Sequence, residues 1–331
     1  MSYTNKVIDL RIIIVLALAG LVAITVNLSN IDTNELEKLT TPLTYSSPTP
    51  TPEPTQTPTP TPIPTTAPTP TPSPKPIAAV TPASRGEPKP TSPPVPVNNT
   101  PPGSGYSVQS VKSDKGTFRV AIIAADMGST RVIVDTASSG DCSNDCPVLS
   151  LGEYVSRNGA YAGVNGSYFC PASYESCAGK TNSFDTLLMN KDKVYFNSDN
   201  NVFSTVPAVI FGYGAVRFVG QSLEWGRDTS PDSVIANYPM LVQGGNIAYS
   251  GSGDGKLTSK GSRSFVGSSG NTVYIGVVFS STVEESAYTL HAMGLENALN
   301  LDDGGSTALW SGGYKVGPGR GLPNAILFVG R

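Results

Sequence analysis

One histidine, four cysteines and almost no excess of charge bound what this chain can do before any motif is read. The lone histidine, His291, excludes zinc sites built from several histidines. Any Ser-His-Asp triad would have to run through it, and it falls in a helical stretch where packing or solvation explains it better. Lys and Arg number 22 against 25 Asp and Glu, so no basic face is offered to nucleic acid. The cysteines, Cys142, Cys146, Cys170 and Cys177, lack the paired C-x-x-C knuckles of a zinc site. No small-x-small cleavage signal follows the first apolar run, and no cysteine stands where a lipid would be attached.

What is abundant is proline, most of it before residue 103. Residues 12–28 are almost wholly apolar, close to the ~20 residues that cross a bilayer. Lys6 and Arg11 precede them and Asp32, Glu35 and Glu37 follow, which puts the N-terminus in the cytoplasm and the remainder outside. The expected organisation is a cytoplasmic tail (1–11), an uncleaved single-pass signal anchor in the cell membrane (12–28) and a disordered Thr/Pro-rich stalk (29–105). A cleaved signal peptide is the rival to the anchor. The Thr-Pro tract has little to bury and loses backbone donors at each proline, so it should extend as polyproline II. At ~3.1 Å per residue it would reach on the order of 150–190 Å.

Residues 106–331 should form one domain of ordinary size. Short β-branched and aromatic runs bounded by Gly, Asn, Asp and Ser predict strands at 117–123, 130–134, 208–211, 216–219 and 272–279. Helices are expected at 148–158 and 286–295, the second stopped by Gly294. The class is α+β: a single mixed α/β domain with twisted, largely antiparallel sheets and few helices. Outside the cell the cysteines should be oxidised. Four cysteines allow three pairings; Cys142–Cys146 and Cys170–Cys177 are expected, because each closes a small polar loop.

Four stretches carry chemistry. In the first, the apolar lead-in to Asn165-Gly166-Ser167-Tyr168-Phe169 ends in Asn-Gly, which favours a sharp turn with positive φ. The Asn165 amide can offer a donor and an acceptor to a sugar or phosphate. The second, 238–247, reads as a hairpin around Gly244-Gly245. The third holds Arg263, whose planar fork suits an anionic oxygen pair. The fourth is the focus of the chain: residues 298–301 deliver two carboxylates, Asp302 and Asp303, to a turn. Gly304 and Gly305 let the backbone bend and approach a ligand, and the Ser306 and Thr307 hydroxyls follow.

The order of these stretches, closing on Leu322-Pro323-Asn324-Ala325-Ile326-Leu327, resembles the phosphodiester glycosidase family over roughly residues 106–331. Asn165, Gly166 and Phe169 match its Asn-Gly-x-x-Phe. Arg263 and Gly267 match its Arg-Thr-x-x-Gly, with Ser264 in place of Thr. Asp302, Gly304, Gly305 and Ser306 match its Asp-Gly-Gly-Gly-Ser. Asp303 departs from the first glycine of that motif, adding a charge at the centre, and Ser167 departs from the usual second glycine after Asn.

The resemblance implies hydrolysis of a sugar C1–O–phosphate linkage in a glycan or cell-envelope polymer, with a carbohydrate or glycosyl-phosphate substrate. On this reading Asp302 holds water or stabilises an oxocarbenium-like transition state, with Asp303, Asp185 and Glu175 as candidates for a second carboxylate. Arg263, the Gly304 and Gly305 N–H groups and Ser306 hold the phosphate oxygens, Asn165 binds a sugar hydroxyl, and Gly166 and Thr307 are further substrate-binding candidates. No cofactor is required; Asp302 and Asp303 are hard oxygen ligands that suit a divalent cation, but no spacing demands one. The alternative is a stalked cell-wall module that binds glycan without cleaving it.

Overall fold

Alternation builds the core. Along Gly116–Asp126, Ala121, Ile123 and Ala125 enter one apolar cluster while Val120, Ile122 and Ala124 enter another. A strand buried on both faces needs a layer on each side. On one side is a helix, Val283–Ala292, which presents Val283, Ala287 and Leu290 at helical spacing. Leu290 is fully buried, worth roughly 1.5–3 kcal/mol. On the other side are the remaining sheets.

The computed structural model describes residues 95–198, 204–212, 214–251 and 253–331. The expected tail, anchor and most of the stalk lie outside these residues. Among the described residues no helix is long and apolar enough to cross a membrane.

A seven-stranded sheet runs, edge to edge, Gly105–Ser113, Gly116–Asp126, Thr272–Ser281, Gly261–Ser269, Asn297–Asn300, Met240–Gln243 and Asn246–Ile247. A five-stranded sheet runs Tyr314–Val316, Leu309–Ser311, Ala162–Asn165, Asn324–Gly330 and Thr130–Thr136. A third, also five-stranded, runs Tyr195–Phe196, Leu188–Met189, Ser233–Ala236, Ala208–Gly212 and Ala215–Val219. Neighbouring strands are antiparallel throughout these three sheets. The central core draws on all three: Val266 and Leu299, Val164 and Ile326, Val209 and Ile235. The fold is therefore mixed α/β and mainly antiparallel, as the strand-rich pattern predicts.

Each of the five predicted strand runs is a strand. Both helices exist, with shifted starts. The first begins at Leu151 rather than 148, because Leu149 is occupied bridging Leu322 and Ser150 caps the helix in a box with Glu153. The second begins at Val283 rather than 286: Thr282 and Glu285 form a capping box that hydrophobic spacing alone overlooks. The packed region also reaches back beyond the expected boundary at 106. Asn98 N–H donates to the Ser110 carbonyl at 2.8 Å, and the Asn99 side chain brackets Lys112. Those bonds tie the end of the expected stalk to the first strand. The disulfides are Cys142–Cys146 and Cys170–Cys177, the local pairs.

Candidate active site

Strand register brings the distant motifs together. Phe265 lies opposite Asn300, and Val266 opposite Leu299. Two residues back along one strand is Arg263; two residues on along the other is Asp302. Leu301 N–H continues the ladder to the Ser264 carbonyl at 2.9 Å. The chain leaves the seven-stranded sheet at Asn300 and joins a five-stranded sheet at Leu309, so the acidic turn is the crossover between them. Its middle is a single 3₁₀ turn, Gly304–Ser306.

Asn165 fastens this crossover from behind. Its Oδ1 accepts from Ser264 Oγ at 2.7 Å and from Ala308 N–H at 3.1 Å, while its Nδ2 donates to the Asp302 carbonyl at 2.6 Å. The residue is 0% exposed and off the cavity wall. The sugar contact expected of Asn165 is thus replaced by a structural one: its amide joins two sheets and the turn. Gly166 is likewise structural. Neither Asn165 nor Gly166 has positive φ. Glycine is required because a Cβ there would fall 1.7 Å from Asn324 Oδ1. That oxygen accepts from Ser167 N–H at 2.9 Å.

Asp302, Asp303, Arg263, Gly304 and Ser306 line a cavity of roughly 300 Å³. Gly305 and Thr307 stand off its wall. Gly305 lies beneath the guanidinium of Arg320, where a Cβ would meet Nη2 at 2.3 Å. Thr307 is buried and donates to the Ser262 carbonyl at 3.2 Å. Both shape the turn rather than face a ligand.

The two carboxylates differ. Burial pushes Asp302 up to about 7; hydrogen bonds from the Ser306 hydroxyl and the Asp303 N–H only partly offset it. The Asp303 N–H to Asp302 Oδ1 distance is 2.9 Å. Burial also raises Asp303, against the pull of the Arg263 guanidinium that is paired with it. Arg263, only 3% exposed, spends most of its donors internally. Nε donates to the Ser281 carbonyl at 3.2 Å, Nη1 to Asp303, and Nη2 to the Lys256 carbonyl at 3.0 Å and to Ser259. One N–H of the five remains for a ligand.

The rest of the wall mixes aromatic, cationic and acidic side chains. Tyr168 and Tyr238 meet edge to face at 5.0 Å, and Asn300 Nδ2 donates to the Tyr168 hydroxyl at 2.7 Å. The Cys170–Cys177 loop brings Tyr174, with Lys256 and Arg320 over its ring. Asp185 lines the cavity and Glu175 does not. Arg320, Lys256 and Tyr174 escaped the sequence reading. Arg320 had one signal, an arginine set between Gly319 and Gly321 just before the Leu322–Leu327 stretch; Lys256 and Tyr174 had none. His291 sits in the last turn of its helix, away from the cavity.

Among the described residues no three His, Cys, Asp or Glu side chains converge as a metal site. Asp303, one of the two candidate ligands, already holds Arg263.

No curated protein matches the chain. Among solved structures, the zebrafish N-acetylglucosamine-1-phosphodiester alpha-N-acetylglucosaminidase catalytic domain, auto-inhibited by its pro-peptide, is similar with a TM-score of 0.52 and 14% identity, over 72% of this chain and 87% of that one. A Synechocystis protein gives a TM-score of 0.49 and 12% identity over 68% of this chain, which spans 62% of that protein's length. At 14% identity the likeness to the zebrafish domain concerns the fold alone. The family model described as phosphodiester glycosidase matches residues 158–329, which takes in Asn165, Arg263 and the whole acidic turn. That match spans more than half of the chain, and the chain belongs to the phosphodiester glycosidase family.

Proposed function

We propose that the cavity hydrolyses the bond between a sugar C1 and a phosphodiester oxygen, in a glycan or cell-envelope polymer. The observation that carries this reading is Asp302: a carboxyl raised to about 7, held at the head of the turn in a cavity whose wall combines tyrosines with both cations and acids. A group that titrates near neutrality is suited to moving a proton at working pH.

In the proposed reaction, a water oxygen attacks C1 and gives its proton to the Asp302 carboxylate. The C1–O bond breaks with its electrons passing to the phosphate oxygen. The products are the free sugar and a phosphomonoester. A phosphate leaving group is a weak base, so protonation of the leaving oxygen is a minor requirement and one carboxylate suffices. Ser306 and the Asp303 N–H steady the Asp302 carboxylate. The Arg263–Asp303 pair cancels the charge that Asp303 would otherwise set against an anionic ester. Tyr168 and Tyr238 offer apolar ring surface to a sugar. No step is routed through a cation.

The same reading puts the domain outside the cell on the anchor at 12–28 and its stalk, supported by the flanking charge asymmetry and by two disulfides. The test is incubation with an activated sugar-1-phosphate diester. Release of free sugar in proportion to enzyme is expected; no release at any enzyme concentration would leave a glycan-binding module as the better description.

A further inference from the structure

Two arginines face the acidic turn, and one is already committed. Arg263 is buried, paired with Asp303, and hydrogen-bonded to the carbonyls of Lys256, Ser259 and Ser281. A fork with one N–H left cannot grip two oxygens of a phosphate.

Arg320 is placed differently. Its backbone is pinned by its N–H to the Gly305 carbonyl at 2.9 Å. Its guanidinium lies over Gly305, the residue that has no side chain to obstruct it. The outer side of the group faces the Cys170–Cys177 loop, 5.6 Å from the centre of the Tyr174 ring, and Nη1 donates weakly to Ser173 Oγ at 3.3 Å. Arg320 forms no ion pair with any described residue, although it is close enough to lower the pKa of Asp302. Lys256 Nζ lies over the same Tyr174 ring, also at 5.6 Å, and it too lacks an ion pair among the described residues. The other lysine on the wall, Lys260, is paired with Glu285 at 3.1 Å. Of the wall's acids, Asp254 caps the short helix that carries Lys256 by accepting from its N–H at 2.8 Å. Asp185 remains near Lys256.

From this we infer that Arg320 and Lys256, both set against the Tyr174 ring on the cavity wall, form the phosphate clamp of the cavity and determine its preference for a monoanionic phosphodiester over a neutral glycoside. The inference rests on the hydrolase reading above for the meaning of that preference, but not for the binding itself. Arg320 supplies a planar fork beside the turn, Lys256 a point charge. The Tyr174 ring stabilises both cations in the free protein. The phosphate lies under Arg320, and the sugar extends toward Tyr168 and Tyr238, leaving C1 beside Asp302. Arg320 is then the specificity-determining residue, and Arg263 a positioning residue that acts through Asp303.

Two measurements test this on the full chain. In the first, inorganic phosphate and methyl phosphate are titrated into wild type, Arg320→Ala, Arg320→Lys, Lys256→Ala and Arg263→Lys, with calorimetry as the readout and thermal melts confirming that each variant is folded. Expected is a loss of about tenfold or more in affinity for Arg320→Ala, a smaller loss for Lys256→Ala, partial recovery in Arg320→Lys, and a change under about twofold for Arg263→Lys. Wild type that binds neither anion, or equal losses at Arg263 and Arg320, would overturn the clamp. In the second, kinetics on an activated sugar-1-phosphate diester should show Arg320→Ala raising KM far more than it lowers kcat. A fall in kcat with KM unchanged would also overturn it. If wild type releases no sugar, the hydrolase reading fails, while the anion titration still decides the clamp.

Discussion

The molecule has a back and a front to the same turn, and they are built on opposite terms. Behind Asp302, Asn165, Ser264, Arg263 and Ala308 are buried, and nearly every polar atom is matched at close range. In front, Tyr174, Lys256 and Arg320 are at least partly exposed, held by ring contacts and one long hydrogen bond. Matched buried groups are costly to disturb, whereas loosely held exposed groups are free to meet a ligand. Stability should therefore reside behind the turn and affinity in front of it.

The sharpest way to break that division is at the turn itself. Asp302→Asn should lower kcat by ~10²–10⁴, the usual worth of an acid–base group, with the melting transition retained. In wild type, kcat/KM should rise with pH and level off above the Asp302 value of about 7, because the proposed reaction uses the carboxylate. Stability should move the opposite way. A carboxyl raised by folding favours the protonated folded state, so its contribution is full at low pH and is lost as pH rises through about 7. Stability of wild type to chemical denaturation should fall as pH rises from 3.8 to about 7, by on the order of 2–4 kcal/mol from this group, and Asp302→Asn should flatten the trend. A kcat/KM that falls with pH instead would make Asp302 a general acid.

Next in size, Arg263→Ala leaves Asp303 buried without its cation. A loss of ~3–5 kcal/mol is expected, read by urea denaturation and smaller at acid pH, where Asp303 takes a proton. Asn165→Ala strands the Ser264 hydroxyl and the Ala308 N–H and should cost ~2–4 kcal/mol, with KM on the surviving fold little changed. Smallest is Tyr174→Leu, which should leave urea midpoints within about 0.5 kcal/mol while shifting KM a few-fold. Should Tyr174→Leu unfold the domain, or Asn165→Ala alter only KM, the front–back division is wrong.

The back of the site was far more legible in the sequence than the front. Asn165-Gly166, Arg263 and the Asp302 turn are short dense motifs, because buried framework demands particular residues at fixed spacing. Gly166 is forced by Asn324, whose side chain and backbone carbonyl both approach too closely for a Cβ, whereas at Gly305 a side chain would displace the Arg320 guanidinium. What the sequence could not convey was which side of the turn each motif would occupy. An asparagine that can bind a sugar can equally cross-link two sheets, and only register decides. The front was nearly silent because a lysine after Asp-Gly and a tyrosine in a small disulfide loop look like any exposed loop. The helix starts at Leu151 and Val283 were readable from Ser150-x-x-Glu153 and Thr282-x-x-Glu285, but apolar spacing outweighed the caps.

The acidic turn is also the covalent span between two sheets, leaving one at Asn300 and entering the other at Leu309. Neither sheet can slide past the other without dragging the Asp302 carboxyl along. Amide hydrogens at Leu301 and Asp302 should accordingly exchange with solvent only when the whole domain opens. Thermal inactivation and loss of structure would then be a single event, with no softened, inactive form in between.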